Sequence, residues 1–288
     1  MQLISYIWVL LAAVLWGTTG TAQTYLQGGV SAFTVAMARS AIGGGGLLLF
    51  VLVRRQIKWQ IINWRWTILA ALSIAAFQCL FFTSVRLTGV AVGTVVTIGS
   101  APVFAGIIEA VIWKVRPTRV WMLATLCSIV GAVLLFSSNG ETIIDPLGVA
   151  IALCAGFLFA LYTNVSKRLM ESTETLPAVA LVFSICALCL LPFSFTNGIH
   201  WATSLNNVFI MIYLGVFTCA IAYVLYLGGL KKISSSAAVT LSLGEPLTAA
   251  LLGVFMIGEY ISVLSWFGVA LLFSGIVILT VGQSNKVQ

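Results

Sequence analysis

Apolar runs of about 20 residues follow one another along almost the whole chain, separated by short polar stretches. A helix needs about 20 mostly apolar residues to cross roughly 30 Å of bilayer hydrocarbon, so each run can span a membrane. Only 7% of the residues are charged, against roughly 25% in a soluble domain. The sequence therefore predicts an all-α integral membrane protein with ten transmembrane helices. The predicted spans are residues 4–25, 31–53, 66–86, 91–113, 118–138, 146–167, 177–196, 206–229, 235–257 and 263–282.

Lysine and arginine lie almost entirely in alternate loops of this ten-span arrangement. With a cytoplasmic N-terminus, 12 of the 14 fall at the cytoplasmic side, Arg86 lies in an outer loop and Arg39 lies inside a span. Cytoplasmic loops are enriched in these residues. We therefore expect a multi-pass protein of a bacterial-type inner (plasma) membrane with both termini in the cytoplasm. The 12 residues are Arg54, Arg55, Lys58, Arg65, Lys114, Arg116, Arg119, Lys167, Arg168, Lys231, Lys232 and Lys286.

Several classes of function are not indicated by the residues present. The net charge of +7 comes from clustered loop residues, so it indicates orientation in a membrane and not nucleic-acid binding. His200 is the only histidine, and Cys186 and Cys189 lie inside a span without a second pair, which predicts packing and no metal site. No nucleotide-binding or enzyme motif occurs. We expect no enzyme activity and no cofactor, and no oligomeric state is predicted.

The two halves of the chain correspond when the sequence is shifted by 144 residues. Pro102 then falls on Pro246, and Gly131 falls on Gly275. Each half holds five spans, and the fourth span of each carries a proline that predicts a helix kink. Because five is odd, the second half must enter the membrane upside down relative to the first, as in many transporters. The sequence predicts a 5+5 inverted-topology repeat with halves at residues 1–140 and 141–288.

A set of short motifs in this order resembles the EamA family of the drug/metabolite transporter superfamily. The resemblance covers the whole chain as two EamA-type halves, and it implies a ten-helix exporter or permease with a central cavity. It also implies substrates such as amino acids, other metabolites or toxic compounds. The motifs are Leu15-Trp16-Gly17, Arg39, Pro102, Glu245-Pro246 and Gly258-Glu259.

The family's glycine–glutamate pair after the proline is present in only one half of this chain. Gly258-Glu259 follows Pro246, whereas Lys114-Val115 stands at the corresponding place after Pro102. A role that needs both glutamates is therefore not expected. This departure suggests that Glu259 is a helix-end or interface residue.

Two glutamates inside predicted spans are candidates for proton coupling, since a charge at mid-membrane costs about 2.5–3.5 kcal/mol and needs a reason. Glu245 directly precedes Pro246, whose missing N–H frees a backbone carbonyl. Glu109 lies two helical turns after Pro102. The alternatives are a structural kink at Glu245 and, at Glu109, an acid that snorkels or pairs with a base such as Lys114.

Arg39 and a group of polar and aromatic residues are the candidate substrate-binding residues. Arg39 could attract an anionic group of a substrate, or form a structural ion pair. Ser242 precedes Glu245 by three residues and so shares its helix face. Aromatic walls with a few polar groups suit an amphipathic solute, although the same residues are common in helix packing. The other candidates are Trp16, Gln78, Phe82, Tyr162, Asn164, Tyr223 and Tyr226.

Taken with the resemblance, these residues predict a secondary transporter that works by alternating access. The expected substrate is a small metabolite, an amino acid or a related amphipathic solute, with protons as the candidate coupling ion. The partners are then that solute and the lipid bilayer. The alternatives are a passive facilitator, channel or lipid-handling protein, and a structural or signalling membrane subunit. A membrane enzyme is a weaker alternative.

Overall fold

The computed structural model describes residues 2–137, 145–194 and 200–284. The predicted boundary between the halves, at residues 140 and 141, lies outside the described residues, as does Lys286. Every regular element in the described part is helical. The helices are α1 Gln2–Thr24, α2 Ala32–Ser40, α3 Gly46–Val53, α4 Trp64–Val111, α5 Arg119–Phe136, α6 Pro146–Leu169, α7 Thr175–Ser194, α8 Leu205–Tyr213, α9 Ala222–Leu230, α10 Ser235–Leu241, α11 Gly244–Leu252 and α12 Val263–Ser284.

Some of these helices are joined into longer stretches by π-helical turns, which are wider than α-helical ones. Wide π-helical turns at Ala41–Gly45 and Leu214–Ile221 join α2 to α3 and α8 to α9. A third, at Gly253–Ile257, extends α11. Among the described residues, nine helical stretches are long and apolar enough to cross a bilayer. The prediction of an all-α membrane protein is confirmed.

The longest of these stretches is α4, and it is bent back on itself at one glycine. A straight helix of 48 residues would be about 72 Å long, more than twice the roughly 30 Å of hydrocarbon. Gly89 has φ 80° and ψ 163°, which is outside the helical region and which favours glycine. The chain therefore changes direction there, and two helices on either side of Gly89 make up α4. They correspond to the predicted spans 66–86 and 91–113.

Polar side chains begin several helices by accepting a hydrogen bond from the first turn. Ser31 Oγ accepts from the N–H of Thr34 at 3.2 Å, and Asp145 Oδ1 accepts from that of Leu147 at 2.9 Å. Ser234 Oγ likewise accepts from Ala237 at 3.1 Å. The first N–H groups of a helix have no partner within the helix, and these caps satisfy them near the membrane surface.

The outer surface of the bundle is apolar, as a lipid-facing surface must be. Large apolar side chains on several helices are between 71% and 77% exposed. In water such a surface would promote aggregation, whereas in lipid it is the favourable partner. The residues are Val53, Val111, Leu205, Phe255 and Val263.

The two ends of the bundle differ in charge. An ion pair between Lys58 Nζ and Glu174 Oε1 at 3.6 Å joins the segment after α3 to the segment after α6. We call this end the basic end; it also carries Lys114, Lys167 and Lys231. The other end, which we call the opposite end, carries Gly89, Asp145 and Glu259.

The bundle is packed more closely toward the basic end. Every residue from Ser235 to Gly244 is buried, whereas between Glu245 and Leu252 only Pro246 is buried. In α1, no residue from Thr18 to Thr24 is buried, although the half of that helix nearer the basic end has a buried face. The buried part of these two helices therefore lies toward the basic end, with Glu245 at its boundary.

Glycines allow a close contact between the π-helical turns that follow α2 and α8. A Cβ at Gly43 would lie 2.4 Å from the carbonyl oxygen of Gly215, while a Cβ at Gly45 would meet no atom within 4 Å. We expect Gly43→Ala to lower the free energy of unfolding by about 1–3 kcal/mol through overpacking. Gly45→Ala, in the same turn, should leave it unchanged or slightly raised.

Thermal unfolding of the purified protein in detergent, followed by tryptophan fluorescence, measures both variants. A melting temperature several degrees lower for Gly43→Ala alone is the expected result. Equal melting temperatures for the two variants would show that the helices can separate there at little cost.

Candidate functional site

Glu245 lies at an interruption of the helix, in the middle of the membrane-spanning stretch Ser235–Ile257. α10 ends at Leu241, and α11 begins at Gly244 with Pro246 in its first turn, where a missing N–H donor is tolerated. Short-range bonds close the break: Glu245 N–H donates to the Ser242 carbonyl at 2.9 Å. The carboxylate is thus carried on the first turn of a half-helix, where the helix dipole favours negative charge.

The Glu245 carboxylate forms no hydrogen bond or ion pair with any described residue. It is only partly buried, and the charged group acting on it is the guanidinium of Arg39. The two do not form an ion pair, so their nitrogen and oxygen atoms are more than 4.0 Å apart. A basic and an acidic side chain therefore lie near each other inside the bundle without forming an ion pair.

Arg39 is held in place by a hydrogen bond to a buried glutamine, Gln78. One guanidinium nitrogen, Nη2, donates to Gln78 Oε1 at 2.8 Å. The Gln78 amide in turn donates to Cys186 Sγ at 3.2 Å, and Gln78 is only 1% exposed. Gln78 was predicted to bind substrate, and here it contacts Arg39 and orients it. The guanidinium has five N–H donors, so most of them stay available.

A cluster of aromatic rings forms one wall beside these two charges. The Trp16 ring centroid lies 4.8 Å from that of Tyr223 and 5.0 Å from that of Tyr226. Tyr223 is within electrostatic range of both Arg39 and Glu245. Phe159 packs on Trp16 at 6.3 Å in an edge-to-face arrangement. α1, α6 and α9 thus contribute one apolar surface to the site.

One polar atom in this wall has no partner. Trp16 is 5% exposed, and its Nε1–H donates to no described residue. A buried donor without an acceptor costs free energy, and a bound solute could supply that acceptor. The Tyr226 hydroxyl, by contrast, is hydrogen-bonded to Thr163 Oγ1 at 2.9 Å.

The remaining predicted binding residues are engaged in other contacts. Tyr162 is fully buried behind Tyr223, with ring centroids 6.0 Å apart. Asn164 Oδ1 accepts from Trp113 Nε1 at 3.2 Å, and Ser242 Oγ donates to the backbone of its own helix. Phe82 packs with Phe33 and Phe81. These rings continue through Phe77 to Phe159 of the aromatic wall.

Glu109 has partners that the sequence did not indicate. Its two carboxylate oxygens accept from the backbone N–H groups of Ser235 at 2.6 Å and Ser236 at 3.2 Å. Lys167 Nζ donates to the carbonyl of Ile233 in the same segment. Glu109 is 5% exposed, so this contact is buried. It joins the end of α4 to the start of α10 at the basic end, and neither Lys114 nor the lipid surface is its partner.

Pro102 lies in the second part of α4, where that helix meets α6. A Cβ at Gly156 would lie 2.2 Å from Ser100 Oγ and 2.6 Å from the carbonyl of Thr97, so the backbones approach closely beside the proline.

Sequence reasoning missed Phe159, Trp113 and Lys167. The first two resembled ordinary apolar residues of a span, and Lys167 was counted only as a loop charge.

Known proteins resemble this chain in sequence over nearly its whole length. The model of the EamA-like transporter family matches residues 3–137 and again residues 146–281. The uncharacterized transporter YwfM of Bacillus subtilis (strain 168) is 42% identical over 97% of this chain and 95% of its own length. The uncharacterized inner membrane transporter YicL of Salmonella typhimurium (strain LT2) is 27% identical over 97% of this chain and 96% of its own length.

A solved crystal structure shares the fold. Its TM-score is 0.82 at 17% sequence identity, and the match covers 99% of both chains. The described helices therefore form a known arrangement, and the two relatives are named as transporters and not as enzymes.

Proposed function

This chain belongs to the EamA-like transporter family, and on that basis we propose that it is a secondary transporter of a small zwitterionic, amphipathic solute. An amino acid or a close derivative has this chemistry. In the proposal, Arg39 binds the carboxylate of the solute and Glu245 binds its ammonium group. The aromatic wall at Trp16 and Tyr223, with Tyr226 behind it, takes the apolar part.

The observation that carries this proposal is the pair of unjoined opposite charges. An isolated charge in the membrane interior is costly, and two charges that lie close together normally pair. A zwitterion placed between Arg39 and Glu245 would pair both at once. Such a site beside an interrupted helix near mid-membrane is common in secondary transporters.

Reciprocal packing supports two inverted halves of five spans each. A Cβ at Gly131 in α5 would meet Gly268 and Leu272 of α12. A Cβ at Gly275 in α12 would meet Ala124 and Ser128 of α5. Subtracting 144 from the numbers 275, 268 and 272 gives 131, 124 and 128, so the second contact repeats the first with the halves exchanged. A ten-span count, with α4 as two spans, fits the two family matches.

The packing of the bundle supports one state of an alternating-access cycle. Residues of α1 and α10–α11 are buried toward the basic end and only partly buried toward the opposite end, with Glu245 at the boundary, as expected if the bundle is closed at the basic end and open at the other. With the basic end in the cytoplasm, as loop charges favour, this is an outward-facing state in a bacterial-type inner membrane. We propose protons as the coupling ion, since Glu245 has no fixed partner that would hold it in one protonation state.

Transport in proteoliposomes tests the proposal. Uptake and efflux of an amino-acid and metabolite panel, with and without a pH gradient, should reveal one saturable class of zwitterions whose accumulation follows the gradient. Liposomes without protein provide the baseline. Saturable transport that ignores the gradient would make the protein a facilitator, and the absence of any saturable transport would overturn the proposal.

A further inference from the structure

We propose that Glu259 and the first helical turn after Gly89 form a latch that closes the opposite end of the bundle when the basic end opens. This inference rests on the proposed alternating-access function. It extends that function to a second gate, which is open in this structure.

The closed gate is the contact between Glu109 and the start of α10. Both carboxylate oxygens of Glu109 accept backbone N–H groups, from Ser235 at 2.6 Å and from Ser236 at 3.2 Å. Hydrogen bonds to an ionised group are roughly twice as strong as neutral ones. Glu109 is 5%, Ser235 1% and Ser236 4% exposed. The contact ties the first half of the chain to the second, and the basic end cannot open unless it breaks.

A shift of 144 residues gives the counterpart of this gate at the opposite end. Ser235 and Ser236 correspond to Ala91 and Val92, which lie in the first turn after Gly89. Glu109 corresponds to Gly253, which has no side chain. A carboxylate is nevertheless present there, because Glu259 Oε2 lies 2.5 Å from the position of a Cβ on Gly253.

The backbone shows why Glu259 can replace the missing side chain. Lys114 and its counterpart Gly258 both have positive φ, 55° and 81°. The next residues make the same bond, Val115 N–H to the Glu109 carbonyl and Glu259 N–H to the Gly253 carbonyl, each at 3.0 Å. The two helix ends therefore have the same turn. In one half the carboxylate comes from the helix, and in the other it folds back from the turn.

The exposure of the two gates is opposite, as expected for a carrier open at one end. Glu259 is exposed, and Ala91 and Val92 are only partly buried. The Glu259 carboxylate forms no hydrogen bond or ion pair with a described residue. In the alternate state, the same relative movement of the halves would bring Glu259 onto the N–H groups of Ala91 and Val92.

Amide hydrogen exchange of the purified full-length protein, with peptides read by mass spectrometry, tests this proposal without a known substrate. Glu259→Gln should weaken the second latch. We expect exchange about tenfold slower at residues 235–236, which open only in the alternate state, since the neutral bond is about half as strong. Residues 90–93, which are already open in this structure, should exchange at most slightly faster. Glu109→Gln should shift both peptides in the reverse directions. Glu174 is an exposed acid at the basic end, and Glu174→Gln is the matched control. It should leave the exchange rates of both peptides unchanged.

The opposite signs distinguish a coupled gate from a local loss of a cap. If Glu259→Gln leaves the exchange of residues 235–236 unchanged, or makes it faster as Glu109→Gln does, the second latch is overturned. Glu259 is exposed, so its variant folds even if Glu109→Gln does not. Saturable transport without the exchange shift would refute only the latch, while loss of saturable transport would refute the carrier itself.

Discussion

Replacing Glu245 with glutamine is expected to abolish accumulation of the solute against its gradient while exchange of the solute continues. Glutamine has the same shape and can still accept a hydrogen bond from an ammonium group, so a loaded site can still form. It cannot take up or release a proton. If Glu245 carries the coupling proton, a pH gradient then no longer drives transport, and the internal concentration only equals the external one.

The control for this prediction is Glu174→Gln. Glu174 is an exposed acid that pairs with Lys58, and an exposed ion pair contributes little. Its variant should accumulate the solute like the unchanged protein. Full gradient-driven accumulation by Glu245→Gln would show that Glu245 is not the coupling acid. If Glu109→Gln also retains it, neither intramembrane glutamate couples protons.

Replacing Arg39 with methionine is expected to raise the KM for a zwitterionic solute about 10–100-fold. A hydrogen bond to a charged group contributes about 1.5–3 kcal/mol, and each 1.4 kcal/mol is a factor of ten. Methionine keeps much of the length of the side chain but offers no donor to a carboxylate. For the corresponding amine, which has the same structure without the carboxylate, Arg39→Met should change KM little. Uptake of the two solutes by the same proteoliposomes measures this difference.

Two further variants separate binding from support of the fold. Arg39→Lys keeps the charge without the forked geometry of the guanidinium. Its KM for the zwitterion should therefore lie between those of the unchanged protein and of Arg39→Met. Gln78→Leu removes the bond that orients Arg39 and should raise the same KM by a smaller factor. An equal rise in KM for the zwitterion and for its amine would contradict carboxylate binding by Arg39.

The candidate site could be predicted from the sequence only in part. Glu245 and Arg39 were identified because a charge inside an apolar run is rare and costly. Trp16, Tyr223 and Tyr226 were identified as aromatic candidates, yet nothing in their spacing indicated that their rings meet. The partners of Glu109 lie 126 and 127 residues along the chain. No local pattern connects them.

The sequence by itself determined that this protein is a bundle of membrane helices. Hydropathy acts over a window of about 20 residues, and the bilayer demands only that each window be apolar and internally hydrogen-bonded. Tertiary structure decided which faces meet. A membrane helix is apolar toward lipid and toward its neighbours alike, so its periodicity does not mark the inward face. The position of Arg39 relative to Glu245 and the contact of Glu109 with α10 therefore follow only from how the helices pack in three dimensions.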